Sequence, residues 1–491
     1  MAAGIGLCEP GFAAAPPDDE VEQVPPGQLV FPPQLVFPPM GRVAVVRPSG
    51  TPTGVAIFLS GDGGWNKGVV GMADVLAGSG TLVLGVNTPA YIKAADQVAD
   101  EKCHSVAVDL QMLSQYAQRK FGFGQYIEPV LVGYSSGAAL AYAALAESPA
   151  SFRGALGLGF TPELYNRKPY CRNVGLKSRP GSEPGSDPGD GHVLEPTARL
   201  GKPWIVLQGL LDEVAIPATT RSFVRQVQDA TLVELPKVGH GFSVYRNWGP
   251  QYEEAFRRLA GPAAPAAPTA TTGPAGAPRP GLEDLPLTRV TDPRAPITDS
   301  FAIFLSGDGG WADFDQSLAH SFAARGVPVV GWSTLAYFWS KKTPEQAAGD
   351  LSRVIDHFSR EWGRSRVALV GYSYGADTLP FMVDGLPDRQ RAEVGVIALL
   401  SPGHEAHFRF SPLDWFNARK SGLPTIPAIL KLDRARVMCI YGAEDRRSVC
   451  PGLPADAVTE IRLAGGHHLG GDYGRITTEV LGRLGIPPPR Q

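Results

Sequence analysis

The sequence predicts two tandem α/β domains, each a mostly parallel sheet with helices on both faces. Three observations carry that prediction. A ten-residue segment, AIFLSGDGGW, occurs twice, at 56–65 and at 302–311. Each copy opens the same succession of apolar, strand-like runs and amphipathic stretches. Between the copies lies GPAAPAAPTATTGPAGAPRPG at 261–281, whose composition is that of a semi-rigid linker. Strands alternating with helical patterns build right-handed βαβ units, and uninterrupted apolar runs belong to strands covered on both faces.

Taken in chain order, the first 40 residues are Pro-rich and repeat QLVFPP at 28–33 and 34–39. Proline fixes φ and removes a donor, so this stretch is expected to be extended and largely unpaired. The first domain then spans 41–260. After its AIFLSGDGGW come an apolar-periodic segment and TLVLGVNTPAY; the second half answers with VPVVGWSTLAYFW. A polar amphipathic helix follows in each, then an apolar strand, PVLV at 129–132 and VALV at 367–370. Another strand ends in glycine in each half, VLQG at 206–209 and CIYG at 439–442. SRPGSEPGSDPGDGH at 178–192 interrupts the first domain and reads as a disordered surface insertion, where a cap over a site would sit. The second domain is 282–491. Each half has about 200 residues, enough for its own core.

Composition narrows the function. The 491 residues carry 45 Lys+Arg against 48 Asp+Glu, a net charge of −3, which excludes a general nucleic-acid binder. No apolar run approaches the ~18 residues of a membrane-spanning helix. The five cysteines are odd in number. Cys439 and Cys450 bracket a short segment and could pair in an exported chain; Cys8, Cys103 and Cys171 are open in their pairing. Near the start, GLCEPGFAAAPP has the small, apolar character of the end of a secretory signal, with Ala13, Ala14 and Ala15 as a cleavage-like site. A basic n-region and a clean apolar core are missing from it.

The chemistry lies at the ends of the two apolar strands, which run into GYSSG at 133–137 and GYSYG at 371–375. Both match G-x-S-x-G, in which a tight strand-to-helix turn exposes a serine hydroxyl at the carboxyl edge of the sheet. One match alone is weak; two at the same place in a repeat are not. A nucleophilic serine needs a base, and the base an orienting acid, in the order Ser, Asp, His for α/β-hydrolase-like domains. The first half supplies Ser135, Asp212 and His240; the second supplies Ser373, Asp445 and His467, with His468 and Glu444 as one-residue alternatives. Serine and acid are 77 and 72 residues apart, acid and histidine 28 and 22. The oxyanion donors expected are the N–H of Ser136 or Tyr374, plus one near Asp62 or Asp308 in SGDGGW. There is no HExxH, CxxC, Walker A or dinucleotide fingerprint, so the predicted chemistry is cofactor-free and metal-free acyl transfer.

In the second half IFLSGDGGW, YFWSKKTPEQAAGDL, GYSYGAD, CIYGAEDRRSVC and GGHHLGGDY together resemble the VirJ/AcvB bacterial virulence proteins of the α/β-hydrolase superfamily. The resemblance covers residues 302–473 nearly completely, and the two-domain form is similar to the AcvB type. It implies a periplasmic protein and an esterase acting on aminoacylated phosphatidylglycerol of the lysyl type at a membrane surface. It places Ser373, Asp445 and His467 on the matching motif positions and implies secretion-system proteins as partners. An aminoacyl substrate carries an ammonium group, for which Asp308 and Asp377 are the candidate partners. Asp377 has only Ala138 and Ala139 near its equivalent place in the first half, and the charge also suits the first turn of a helix.

Overall fold

The structure, a computed structural model, describes residues 34–98, 103–171, 175–181, 191–261, 281–412 and 422–488. The first sheet has eight strands: β1 (Gln34–Phe37), β2 (Gly41–Val46), β3 (Gly54–Leu59), β4 (Thr81–Val86), β5 (Val130–Tyr134), β6 (Gly154–Leu158), β7 (Trp204–Gly209) and β8 (Ala230–Leu235). Their spatial order is β1-β2-β4-β3-β5-β6-β7-β8, with β1 and β2 antiparallel to their neighbours and the others parallel.

The second sheet has seven: β9 (Leu287–Val290), β10 (Ser300–Leu305), β11 (Val329–Trp332), β12 (Arg366–Tyr372), β13 (Val394–Leu400), β14 (Val437–Gly442) and β15 (Thr459–Leu463). Their order, β9-β11-β10-β12-β13-β14-β15, repeats that of the first sheet without its outermost strand. Only β9 is antiparallel. The predicted architecture is therefore the observed one.

The repeated AIFL explains why both faces must be covered. In β3, Val55, Ile57 and Leu59 enter one core and Ala56 and Phe58 the other. In β10, Phe301, Ile303 and Leu305 face one core and Ala302 and Phe304 the opposite one. A strand buried on both sides has no polar face to show, hence the continuous apolar run. The tryptophan that ends the motif closes the loop. Trp65 meets Phe58 edge-on and lies over Gly85 of β4, where an added Cβ would stand 2.2 Å from the ring. Trp311 repeats this with Phe304 and Gly331, at 2.3 Å.

Two expectations about unpaired segments need correction. The N-terminal segment 1–40 is not unpaired throughout, since Gln34–Phe37 pairs with residues 41–44 and so belongs to the first domain's sheet. Leu35 and Phe37 are each 1% exposed while Val36 between them is 64% exposed, so period-two burial overrides the flanking prolines. The insertion 178–192 is also not disordered as a whole. Its edges lie in Lys177–Pro180 and His192–Glu195, which pair antiparallel and extend to Glu163–Leu164 as a three-stranded ribbon. Residues 182–190, the linker between 262 and 280, Cys8 and residues 13–15 lie outside the described residues. No helix among the described residues is long and apolar enough to cross a membrane.

Candidate active sites

In both domains the central strand, β5 or β12, ends in a serine at positive φ, 56° at Ser135 and 49° at Ser373. A non-glycine residue held there marks a strained turn, the posture that pushes a hydroxyl out of the sheet edge. The flanking glycines are required by contact. A Cβ on Gly133 would stand 2.1 Å from Gly137 O, and one on Gly371 2.6 Å from Gly375 O. A Cβ on Gly137 or Gly375 would strike the carbonyl of Leu59 or Leu305 at 2.2 or 2.4 Å.

The residues brought to these serines are those that the repeat singles out. Ser373 Oγ is 2.8 Å from His467 Nε2, and His467 Nδ1 is 2.7 Å from Asp445 Oδ2. Ser135 Oγ is 3.0 Å from His240 Nε2, and His240 Nδ1 is 2.9 Å from Asp212 Oδ2. Each acid is fixed from behind by backbone donors: Asp212 Oδ1 accepts from Val214 and Ala215 N–H at 2.9 and 2.8 Å, and Asp445 Oδ1 from Arg447 N–H at 3.1 Å. Burial raises the Asp445 carboxyl, but the hydrogen bond and charge of His467 outweigh it and hold it below the ordinary carboxylate value. The alternatives fall away. His468 Nδ1 lies 2.8 Å from Tyr372 Oη instead of the serine, and Glu444 is exposed. Ser135 is buried and Ser373 half-buried, while the two histidine side chains are about equally exposed, 20% and 21%.

SGDGGW forms the wall opposite each serine. Gly307 lies against Tyr372 and Ser373, where a Cβ would be 3.2 Å from the tyrosine ring and 3.7 Å from Ser373 Cβ. Its carbonyl is turned inward and accepts from Thr334 Oγ1 at 2.6 Å, Gly310 N–H at 3.1 Å and Ser306 Oγ at 3.1 Å. In a trans peptide C=O and N–H point in opposite directions, so Asp308 N–H is turned outward. Tyr374 opens its helix, so its N–H has no carbonyl partner in that helix. These two groups are the candidate oxyanion donors of the second domain. In the first domain Gly61 O accepts from Gly64 N–H at 2.9 Å and Ser60 Oγ at 3.2 Å, with Asp62 and Ser136 as the corresponding pair. There Thr88 Oγ1 is buried with no hydrogen-bond partner.

The surroundings of the two sites differ more than their centres. A cleft of about 590 Å³ beside the first site is lined by Asp62, Ile92, Lys93, Asp96 and Arg167, among others. Chain order places Ile92 and Lys93 opposite Phe338 and Trp339 of the second domain. Asp377 is turned toward the chain after β13, accepting from Gly403 N–H at 2.6 Å. Burial pushes its carboxyl up to about 8, with the Asp308 charge adding to the rise against that hydrogen bond. The side chain of Asp308 is exposed. Among the described residues no group of three or more His, Cys, Asp or Glu converges as a metal site would.

Two disulfides link described residues. Cys439–Cys450 ties β14 to the short helical turn after the Asp445 loop, and Cys103–Cys171 closes a segment of the first domain whose pairing the sequence left open. Sequence reasoning missed Gln111, Gln115 and Arg119, side chains of the first domain that reach the second domain's site. Their four-residue spacing puts them on one helix face, but solvated polar faces show the same spacing, so it carried no signal of its own.

Solved structures similar to this chain include a lidless α/β serine hydrolase from Xanthomonas campestris, at 21% identity, covering 47% of this chain and 95% of that one with a TM-score of 0.31. An esterase domain from Rhodothermus marinus is similar at 15% identity, over 44% and 92% of the two chains, TM-score 0.30. An α/β serine hydrolase homologue from Coxiella burnetii follows at 17% identity, 48% and 100%, TM-score 0.30. No curated protein matches the chain. The profile of the family described as bacterial virulence protein (VirJ) matches residues 53–158 and 299–486. The first segment holds Ser135 but ends before Asp212 and His240, while the second runs unbroken through Ser373, Asp445 and His467. With more than half of its length matched, the chain belongs to the bacterial virulence protein (VirJ) family.

Proposed function

We propose that the chain is a periplasmic serine ester hydrolase that removes the aminoacyl group from aminoacylated phosphatidylglycerol of the lysyl type, with the second domain as its main site. The carrying observation is the hydrogen-bonded series Ser373–His467–Asp445. His467 Nε2 takes the Ser373 proton as Oγ attacks the ester carbonyl, and the N–H groups of Tyr374 and Asp308 receive the oxyanion. The proton then passes to the leaving glycerol oxygen, and the aminoacyl group remains on Ser373. Water, deprotonated by the same histidine, releases the amino acid and restores the serine.

The substrate class comes from the resemblance and is supported by an exposed carboxylate, Asp308, beside the reacting position. Asp377 suits an ammonium partner less well, since its carboxyl is raised and already engaged by Gly403 N–H. Two disulfides fit an oxidising compartment, which supports the periplasmic assignment.

The test is Ser373→Ala and Ser135→Ala, each purified, folded and assayed on the same aminoacyl lipid. Ser373→Ala should lose on the order of 10³-fold or more, and Ser135→Ala much less. The reverse pattern would move the activity to the first domain. Loss in neither variant, with no uptake of a fluorophosphonate probe, would leave a binding protein for secretion substrates on a hydrolase scaffold.

A further inference from the structure

The helix Val106–Lys120 belongs to the first domain, where Leu110, Leu113 and Ala117 anchor it in the core. Another face of it lies on the second domain's site. Gln111 Nε2 donates to Gly309 O at 2.6 Å, and Gln115 Nε2 to Asp308 O at 3.2 Å. One turn further on, Arg119 donates to Phe410 O and, at 2.7 Å, to Trp339 O, with its guanidinium 4.1 Å above the Trp339 ring. Trp339 Nε1 returns a hydrogen bond to Phe123 O at 2.8 Å. Positions 111, 115 and 119 share one helix face, so these contacts form a continuous seam.

What the seam holds is the support of both candidate oxyanion donors. Asp308 and Gly309 are the residues whose carbonyls the glutamines fix, and Asp308 carries one donor N–H. Three glycines surround Asp308 in SGDGGW, and glycine backbone is the least restrained in the chain. On the other side, Phe338 and Phe410 pack on Tyr374, ring centroids 5.5 and 6.1 Å apart, and Tyr374 carries the second donor. Phe410 and the residue after Phe338 are the ones whose carbonyls Arg119 takes.

We propose that the first domain is a built-in positioning element of the second domain's site, with Gln111 and Gln115 holding the SGDGGW loop so that Asp308 N–H faces the carbonyl at Ser373. This rests on Ser373 being the nucleophile. Oxyanion donors act only when held where the charge will form, and a misplacement near 1 Å removes about a hundredfold in rate.

The experiment uses the full chain and a fluorophosphonate probe, with modification of Ser373 and Ser135 followed separately by peptide mass spectrometry. Gln111→Leu/Gln115→Leu removes both donors, and Gln111→Glu removes one at nearly constant volume should the double variant fold poorly. The expected result is labelling of Ser373 slowed about 10- to 100-fold, with Ser135 labelled at the wild-type rate. Ester turnover should fall in kcat by a similar factor with KM little changed. Unchanged labelling of Ser373 would overturn the proposal, and so would an equal fall at both serines, which signals damage to the helix itself. Failure of wild-type Ser373 to label would instead count against the hydrolase reading.

Discussion

Replacing Asp445 by asparagine is the sharpest probe of the proposed proton path. Asp445 Oδ1 accepts Arg447 N–H at 3.1 Å, and Oδ2 accepts His467 Nδ1–H at 2.7 Å. A backbone N–H can only donate, so the amide oxygen of the introduced asparagine must take the Arg447 side and its NH₂ must face the imidazole. The ring then has to accept at Nδ1 and carry its proton on Nε2, 2.8 Å from Ser373 Oγ. From there it donates to the serine and no longer deprotonates it. The side chain keeps its volume, so packing around this buried position is retained. The expected loss is about 10⁴-fold in kcat, equivalent to about 5.5 kcal/mol, with KM little changed. Steady-state hydrolysis of the aminoacyl lipid in mixed micelles measures it, with thermal melting to verify the fold. Asp212→Asn makes the same exchange in the first domain and should leave lipid hydrolysis within a few-fold. A loss below about tenfold for Asp445→Asn, or equal losses in both variants, would refute the reasoning.

Removing the Cys439–Cys450 bridge by double alanine substitution opens a loop of sequence separation 11 and should cost about 3 kcal/mol in denaturant unfolding, with activity falling as Asp445 loosens. Free thiols at both positions in exported protein would refute the pairing and weaken the periplasmic assignment. Asp377, raised by burial to about 8, retains in the folded state a proton that the unfolded chain gives up near pH 4, so its contribution to stability falls as pH rises between those values. Asp377→Asn should therefore melt increasingly above wild type from pH 5 to pH 8, and a difference constant with pH would contradict this.

The fold and both serine–histidine–acid sets could be read from this one sequence because the chain repeats itself. AIFLSGDGGW, G-x-S-x-G and the strand-end glycines recur where the backbone leaves no room for a side chain. A Cβ on Gly209 would strike Val238 O at 2.3 Å, and one on Gly442 would strike Gly466 O at 2.0 Å. Such positions are written in residue identity and can be found by comparing the halves. The start of the first domain was harder, because the prolines of QLVFPP outweigh a four-residue alternation in any local reading. The pairing of Cys103 with Cys171 was beyond reach, since the ends meet only through tertiary folding, as at the bridge between His104 and Tyr170. The seam of Gln111, Gln115 and Arg119 was hidden for a related reason. Polar residues on one helix face are ordinarily solvated, and nothing local distinguishes a face that meets another domain.

That seam bears on why two complete sets of reactive groups occur in one chain. The serine, histidine and acid are arranged alike in both domains, so their presence cannot assign the activity. Their surroundings differ. In the second domain Thr334 Oγ1 fixes the carbonyl behind Asp308 N–H, whereas the equivalent Thr88 Oγ1 is buried without a partner. The acid loop of the second set is tied by a disulfide, and the family profile runs through that whole set. The first domain has put cleft residues Ile92 and Lys93 where the second has Phe338 and Trp339, and it extends Arg119 onto that same tryptophan. An aromatic wall in the second domain and a cation from the first meet at one place. On the proposed reading, the duplicated domain serves the second site through this direct contact.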